Sequence, residues 1–403
     1  MQSKVQSLLL SGSRFTPNDT PRRRECTGPY TICGYSAVIA KINFYKCSDF
    51  SLEKSIFVVK QTYNTMKKLI LTLAVAFTTI FAVQAAKPVK IIFDTDMGND
   101  VDDVVALDML YKYVDEGTID LLGILSSKRE AGSIKFIDAM NTIYGHPNIP
   151  IGIAKTYPSE KYVCIDKRLN YADYTVAQHN YPHIIKDWDA VEDGYKLLRR
   201  LLSKEEDGSV TLVMVGFSTN LVRMLDSKAD EYSELDGKSL LAKKLDKVVI
   251  MAGNFHEKRK EYNVWNDHYA AVRFYAECPV PMLFTDVVLG KSVLYPYQTV
   301  YEGFKYYENH PLPVSFHYYA KMPYNRPLWD PTAVLFAAEG HKGYASLSKK
   351  GYVTVDQKSI TDFTVDKHSN RQYYEVNDAQ RAAIVRRVVE LTMRSPKNPY
   401  NKK

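Results

Sequence analysis

Lys90-Ile91-Ile92-Phe93-Asp94-Thr95-Asp96-Met97-Gly98-Asn99-Asp100-Val101-Asp102-Asp103-Val104-Val105-Ala106 changes its periodicity partway along. The apolar run Val89–Asp94 reads as a buried strand, and from Val101 to Tyr113 the apolar residues return at helical spacing. Gly98 stands between them, where a residue without a Cβ permits a sharp turn. The same alternation continues outward. Strands are expected at Leu121–Ser126, Ile149–Ile153, Val210–Val215, Lys247–Met251 and Pro281–Phe284. Helices are expected at Ser133–Tyr144, 190–203, Asn220–Ser227, Asp267–Ala276, Pro331–Ala338 and Asp378–Met393. Strand followed by helix, repeated, predicts a single α/β domain with an open, mostly parallel central sheet flanked by helices. In such sheets ligands bind beyond the carboxyl ends of the strands. A polar, Tyr-rich stretch from Lys155 to Asp189 is longer than an ordinary connection and reads as functional or mobile.

The opening stretch also carries the densest chemistry. Asp94, Asp96, Asp100, Asp102 and Asp103 fall directly after an apolar strand. Asp94 and Asp96 project to one face of a strand. Asp102 and Asp103 start a helix, whose dipole favours negative charge. Carboxylates this close repel unless a cation neutralises them, and hard oxygen donors without His or Cys favour Ca²⁺ or Mg²⁺. Asp102 or Asp103 alone would read as a solvated helix start; the set together does not.

The chain has 403 residues and a formal charge of +7, with 45% hydrophobic and 25% charged residues. That length allows a large core. The charge is not spread evenly. Residues 1–65 hold an excess of five positive charges, and Lys67 and Lys68 supply the other two. Residues 86–403 are neutral, so a basic nucleic-acid-binding domain is excluded. Met66-Lys67-Lys68, the apolar run Leu69–Val83 and Gln84-Ala85-Ala86 have the order of a secretory signal peptide cleaved after Ala85. A buried helix or membrane anchor is the competing reading, but the run is short for a span. The organisation expected is thus an over-extended, unstructured N-terminus at 1–65, a signal peptide at 66–85 and a catalytic domain at 86–403. The product would be exported, periplasmic or secreted, with no stable membrane anchor after cleavage. Cys164 and Cys278 are the two cysteines of that domain, and neither has metal-site spacing.

At Asp94-Thr95-Asp96-Met97-Gly98 and Asp102-Asp103-Val104-Val105-Ala106 the sequence resembles the signature of the inosine–uridine-preferring nucleoside hydrolase family, with Asn99-Asp100 as a two-residue insertion. Gly216-Phe217-Ser218-Thr219-Asn220, Met251-Ala252-Gly253-Asn254, Glu261-Tyr262-Asn263-Val264-Trp265-Asn266-Asp267 and Trp329-Asp330-Pro331-Thr332-Ala333 resemble later family segments in the right order. The resemblance implies a Rossmann-related fold and hydrolysis of the N-glycosidic bond of ribonucleosides to free base and ribose. It implies one Ca²⁺ held by Asp96, Asp103, Asp330 and the Thr219 carbonyl, and also reached by ribose hydroxyls and the attacking water. It gives Asp96 the role of general base and Asp102 a ribose hydroxyl. Glu261, Asn263 and Asn254 would hold the ribose, and Asp94 would support the cluster from behind. It further implies a homo-oligomer, dimer or tetramer, whose partner is a small nucleoside and not a nucleic acid.

Three departures bear on chemistry. Asp100 of the insertion is a substitute metal ligand on this reading. Trp329 stands where some members have a His that protonates the leaving base; Trp resembles the purine-preferring branch, where it stacks on the base, the alternative being core packing beside Pro327 and Leu328. After the second strand the family has a ribose-contacting Asn, whereas this chain reads Ser126-Ser127-Lys128-Arg129. The acid for the leaving base is left open among His179, His183, His256, His268 and His317, each of which reads singly as a structural or surface residue. Two other classes compete. A haloacid-dehalogenase-type phosphatase would use Asp94 as nucleophile and Asp96 as acid/base, and a non-catalytic nucleoside- or sugar-binding envelope protein would need no water-activating cation.

Overall fold

The computed structural model describes residues 57, 60–69, 87–155 and 171–400. The chain divides into two units, 1–84 and 85–403. In the first, residues 60–69 are helical and exposed, which takes in Met66-Lys67-Lys68 and Leu69. The rest of the apolar run, the cleavage point and Cys164 lie outside the described residues. Among the described residues no helix is long and apolar enough to cross a membrane.

The second unit is built on β1 (Val89–Thr95), β2 (Ile119–Ser126), β3 (Ile151–Ile153), β4 (Glu192–Asp193), β5 (Val210–Met214), β6 (Leu245–Met251), β7 (Met282–Thr285), β8 (Leu294–Tyr295), β9 (Arg326–Pro327), β10 (Ser346–Leu347), β11 (Gly351–Val355), β12 (Thr361–Val365) and β13 (Arg371–Glu375). The main sheet runs β12-β11-β13-β7-β6-β5-β1-β2-β3-β4, with β10 paired to β13. From β13 through β7 to β4 every pairing is parallel. The central strands are apolar on both faces because helices cover both. Ile91 and Phe93 enter one core cluster with Val213 and Val249. Ile92 enters the other with Leu125, Leu212, Met214, Val248 and Ile250. That double burial is why these strands read as continuous apolar runs and not as alternations.

The sequence-expected elements are present with shifted ends. The first helix is Asp102–Glu116, stopped by Gly117 in the left-handed region at φ 76°. Several regions were not anticipated, among them the helices Gly237–Lys244 and Pro311–Tyr319 and the β8–β9 pair, and two bear on the site. The antiparallel ladder of β11, β12 and β10 with β13 sits at one edge; its strands alternate buried and exposed residues too briefly to stand out. The helix Tyr171–Gln178 lies inside the long polar stretch.

Chain direction across the sheet reverses between β1 and β5. From β1 the chain moves outward through β2, β3 and β4, then returns to β5 on the other side of β1. The reversal opens a crevice beyond the carboxyl ends of β1 and β5. Into it open the Asp94–Asp103 segment and the turn Gly216–Thr219. The two are stitched by Ser127, whose hydroxyl donates to the Thr95 carbonyl at 3.1 Å and accepts from the Phe217 N–H at 2.9 Å. Gly216 is held so closely that a Cβ there would lie 2.5 Å from the Asp96 nitrogen and 2.4 Å from the Ser127 hydroxyl. Gly216→Ala is expected to cost about 1–3 kcal/mol of stability, as overpacking does, measured by urea denaturation beside the wild type; an unchanged midpoint would contradict this packing.

Candidate active site

Asp94 closes β1 and is fully buried. Its Oδ2 accepts from the Asn220 amide at 3.0 Å, and its Oδ1 has no hydrogen-bond partner. Burial pushes its carboxyl well above the usual range, against the pull of Asn220. Past Asp94 the chain turns through Gly98 at φ 121°. The Gly98 N–H donates to the Tyr171 hydroxyl at 3.0 Å, and that hydroxyl donates to Met97 Sδ. The helix Tyr171–Gln178 is thereby tied over the turn.

Asp102 and Asp103 then open the first helix, both buried. Asp103 accepts from the Thr95 hydroxyl through Oδ1, while its Oδ2 has no partner. Asp102 accepts the Asp330 N–H at 3.1 Å and an Arg326 Nη2 proton at 3.2 Å. Asp330 is carried in by the helix Trp329–Glu339. Burial raises the carboxyls of Asp102, Asp103 and Asp330. Asp96 raises Asp103 further, and Asp102, Asp103 and Asp96 raise Asp330 further. The structure therefore brings Asp96, Asp102, Asp103 and Asp330 into one electrostatic cluster, with Asp94 behind.

The inserted pair bridges this cluster to two cations. Asn99 donates to Asp96 Oδ2 at 2.8 Å and accepts from the buried Lys128 ammonium at 2.6 Å. Asp100 pairs with Arg326 and accepts from the Tyr319 hydroxyl at 2.8 Å. Lys128 thus fills the region where the resemblance placed an asparagine. Asp100, expected as a substitute ligand, is instead engaged by Arg326.

Thr219 opens the helix Thr219–Asp226 above β5, and its hydroxyl donates to Asp267 at 2.5 Å. Burial lifts Asp267 to about 7. Glu261 is likewise lifted by burial to about 7, although the backbone N–H groups of Asn263, Val264 and Gly253 pull it down. It caps the helix Tyr262–Asn266, accepting from Asn263 and Val264. Asn263 turns its amide onto the carbonyls of Val215 at 2.8 Å and Met251 at 3.2 Å, joining the ends of β5 and β6. Asn254 accepts the Glu257 N–H at 2.9 Å. These three were expected to face ribose. Their recorded bonds show the structural part of their work, which is to shape the loop beyond β6.

Trp329 was expected to stack on a base. Its indole N–H donates to the Val287 carbonyl at 2.9 Å, its ring lies against Gly290, and the Arg326 guanidinium stands 4.9 Å from its centroid. Arg326 also stands 4.7 Å from the Tyr319 ring. Arg326 carries no expectation from the sequence; its place directly before Pro327-Leu328-Trp329-Asp330 was the signal available. The candidate histidines make their contacts elsewhere: His256 with Asp286 at 3.6 Å, His268 with Ser359 at 3.0 Å, His183 with the Tyr181 carbonyl, His179 with the Tyr181 ring and His317 with Tyr301.

Among the described residues no three carboxylate, imidazole or thiol groups already stand at metal-holding separations. The donor chemistry nevertheless fits a hard cation. Asp94 Oδ1 and Asp103 Oδ2 are buried acceptors without donors, and every other oxygen donor expected from the sequence is a carboxylate or carbonyl.

The site is thus a cluster of aspartates at the switch point of an α/β sheet. The sequence profile of the inosine-uridine preferring nucleoside hydrolases matches residues 91–391, and the chain belongs to that family. Solved structures share the fold. A plant nucleoside hydrolase is 17% identical, with a TM-score of 0.57 over 77% of this chain and 100% of that one. The purine-preferring ribonucleoside hydrolase of Gardnerella vaginalis is 16% identical, with a TM-score of 0.57 over 75% and 99%. The inosine-uridine preferring enzyme of Bacillus anthracis is 17% identical, with a TM-score of 0.53 over 75% and 99%. No curated protein matches by sequence.

Asp267 supplies a test of the electrostatics. Its folded pKa of about 7 lies above the unfolded value of 3.8. Its contribution to stability is therefore fully present below about pH 4 and lost as the pH rises through about 7. Asp267→Asn should remove that loss, so the variant gains on the wild type between pH 5 and pH 8 in chelator. Parallel pH dependences in urea denaturation would contradict the assignment.

Proposed function

We propose that this chain hydrolyses ribonucleosides, purine nucleosides foremost, with water activated at the cluster of Asp96, Asp103 and Asp330. The observation that carries the reading is the pair of orphaned buried carboxylate oxygens, Asp94 Oδ1 and Asp103 Oδ2, inside a group of mutually repelling aspartates. Asp96, Asp103, Asp330 and the Thr219 carbonyl would hold a Ca²⁺ ion, which when bound supplies a Lewis acid that lowers the pKa of water in the pocket.

The chain's own groups do the rest. Asp96 takes a proton from the attacking water as general base. Asp102 accepts a hydrogen bond from a sugar hydroxyl, which requires Arg326 to share its Oδ1. The negative cluster stabilises positive charge developing on the sugar, as carboxylates do in other glycoside cleavage. Glu261, Asn263 and Asn254 shape the far wall. Support for a purine comes from the likeness in fold to a purine-preferring relative.

The phosphatase reading loses its footing in the geometry. A nucleophilic Asp94 would need to reach substrate, whereas it is fully buried behind the cluster and bonded to Asn220. Chromatography of a nucleoside panel, with and without chelator, tests the proposal. Free base and ribose should appear, turnover should stop with chelator, and Asp96→Asn should lose about 100-fold or more. Binding of nucleoside without products would instead support an envelope binding protein.

Export through residues 66–85 belongs to the same proposal, as does assembly into a dimer or tetramer. N-terminal sequencing of protein from its native host should begin at Ala86. Peptides from residues 1–60 would contradict the proposed start at Met66.

A further inference from the structure

Arg326 is a buried cation that the hydrolysis described above uses only as a neighbour of Asp102. Its guanidinium lies between the rings of Tyr319 and Trp329, 4.7 Å and 4.9 Å from their centroids. One end pairs with Asp100 and donates to Asp102 Oδ1 at 3.2 Å. The side chain is 91% buried, and its Nε–H has no partner. A buried charged donor left unpaired is costly. It marks a place where an acceptor is missing. The position of that place is informative. Asp102 is the carboxylate read as holding the sugar, and Trp329 forms the wall beside which the base would lie. With a sugar on Asp102 and a base beside Trp329, Arg326 would stand between the two, at the side of the bond that breaks. Of the five histidines weighed as the acid, His179, His183, His268 and His317 make their contacts outside the cluster, and His256 pairs with Asp286, next to the Val287 whose carbonyl holds Trp329.

We propose that Arg326 is the catalytic residue that receives the leaving base, donating a hydrogen bond and positive charge to the heterocycle as the glycosidic bond breaks. This rests on the reading of the site as a nucleoside hydrolase. The bond from C1′ to the base nitrogen breaks, and its electron pair goes to the base. The water oxygen bonds to C1′, one of its protons passes to Asp96, and a proton from solvent or Asp96 neutralises the departed base. Arg326 gains and loses no atoms. A fixed donor aimed where charge develops acts without reorganising during the reaction. Burial also lowers the Arg326 pKa to about 10, which strengthens it as a donor. Asp100, from the inserted pair, and the Tyr319 hydroxyl hold the guanidinium in place, with the Tyr319 and Trp329 rings against it.

Leaving-group dependence separates this role from a structural one. Wild type, Arg326→Ala and Arg326→Lys are compared on inosine and on p-nitrophenyl β-D-ribofuranoside, whose phenolate leaves without help. Arg326→Ala should lose about 100-fold or more in kcat/KM on inosine and less than about tenfold on the nitrophenyl riboside. Arg326→Lys, which keeps the charge and guards against loss of folding, should fall between. Equal losses on both substrates would show that Arg326 only supports the pocket and would overturn the proposal, as would unchanged turnover of inosine. A wild type that cleaves neither substrate would overturn the nucleoside hydrolase reading itself, a different result from either of these.

Discussion

Mutual repulsion among Asp94, Asp96, Asp102, Asp103 and Asp330 is the constraint around which this pocket is built. Burial withdraws the solvent that would screen them, and it raises the carboxyls of Asp94, Asp102, Asp103 and Asp330 together. A buried charge without a partner costs several kcal/mol. The surrounding residues answer that cost locally. Asn220 donates to Asp94, Thr95 to Asp103, Asn99 to Asp96, and the Asp330 N–H and Arg326 to Asp102. Even so, two buried oxygens keep no donor. On the proposed reading a divalent ion would meet those two oxygens, which joins the electrostatics of the fold to its chemistry.

The sheet makes the cluster possible by where it reverses. β1 stands between β2 and β5, so the chain leaving β1 and the chain leaving β5 diverge and leave a crevice. Ser127 and Gly216 bring the two segments within bonding distance. Asn263 joins the ends of β5 and β6 beside them. The far edge, β10 to β13, adds antiparallel strands of which one touches the site's wall through the Thr361 hydroxyl, an acceptor for the Asn254 N–H at 2.8 Å.

Much of this was legible in the sequence because the signals were local. An apolar run buried on both faces, a glycine and a helical repeat fix β1, its turn and the first helix within a few residues. The aspartates inside that segment come with it. Asp330 and Thr219 were placed by segments resembling the family, and the structure brings Asp330 onto Asp102. What spacing could not show was pairing across distance. Lys128 meets Asn99, and Arg326 meets Asp100, Asp102, Tyr319 and Trp329, across intervals that no local pattern records. The expectation that Trp329 presents a free face to a base missed Arg326 for the same reason. The edge hairpin escaped because its alternation of buried and exposed residues is short and one-sided.

The central claim is that the aspartate cluster is a cation site, and calorimetric titration of Ca²⁺ into chelator-treated protein tests it most directly. The account predicts one binding event per chain that raises the unfolding temperature and is lost in Asp103→Asn. No binding heat together with an unchanged unfolding temperature, or binding that survives Asp103→Asn undiminished, would contradict it.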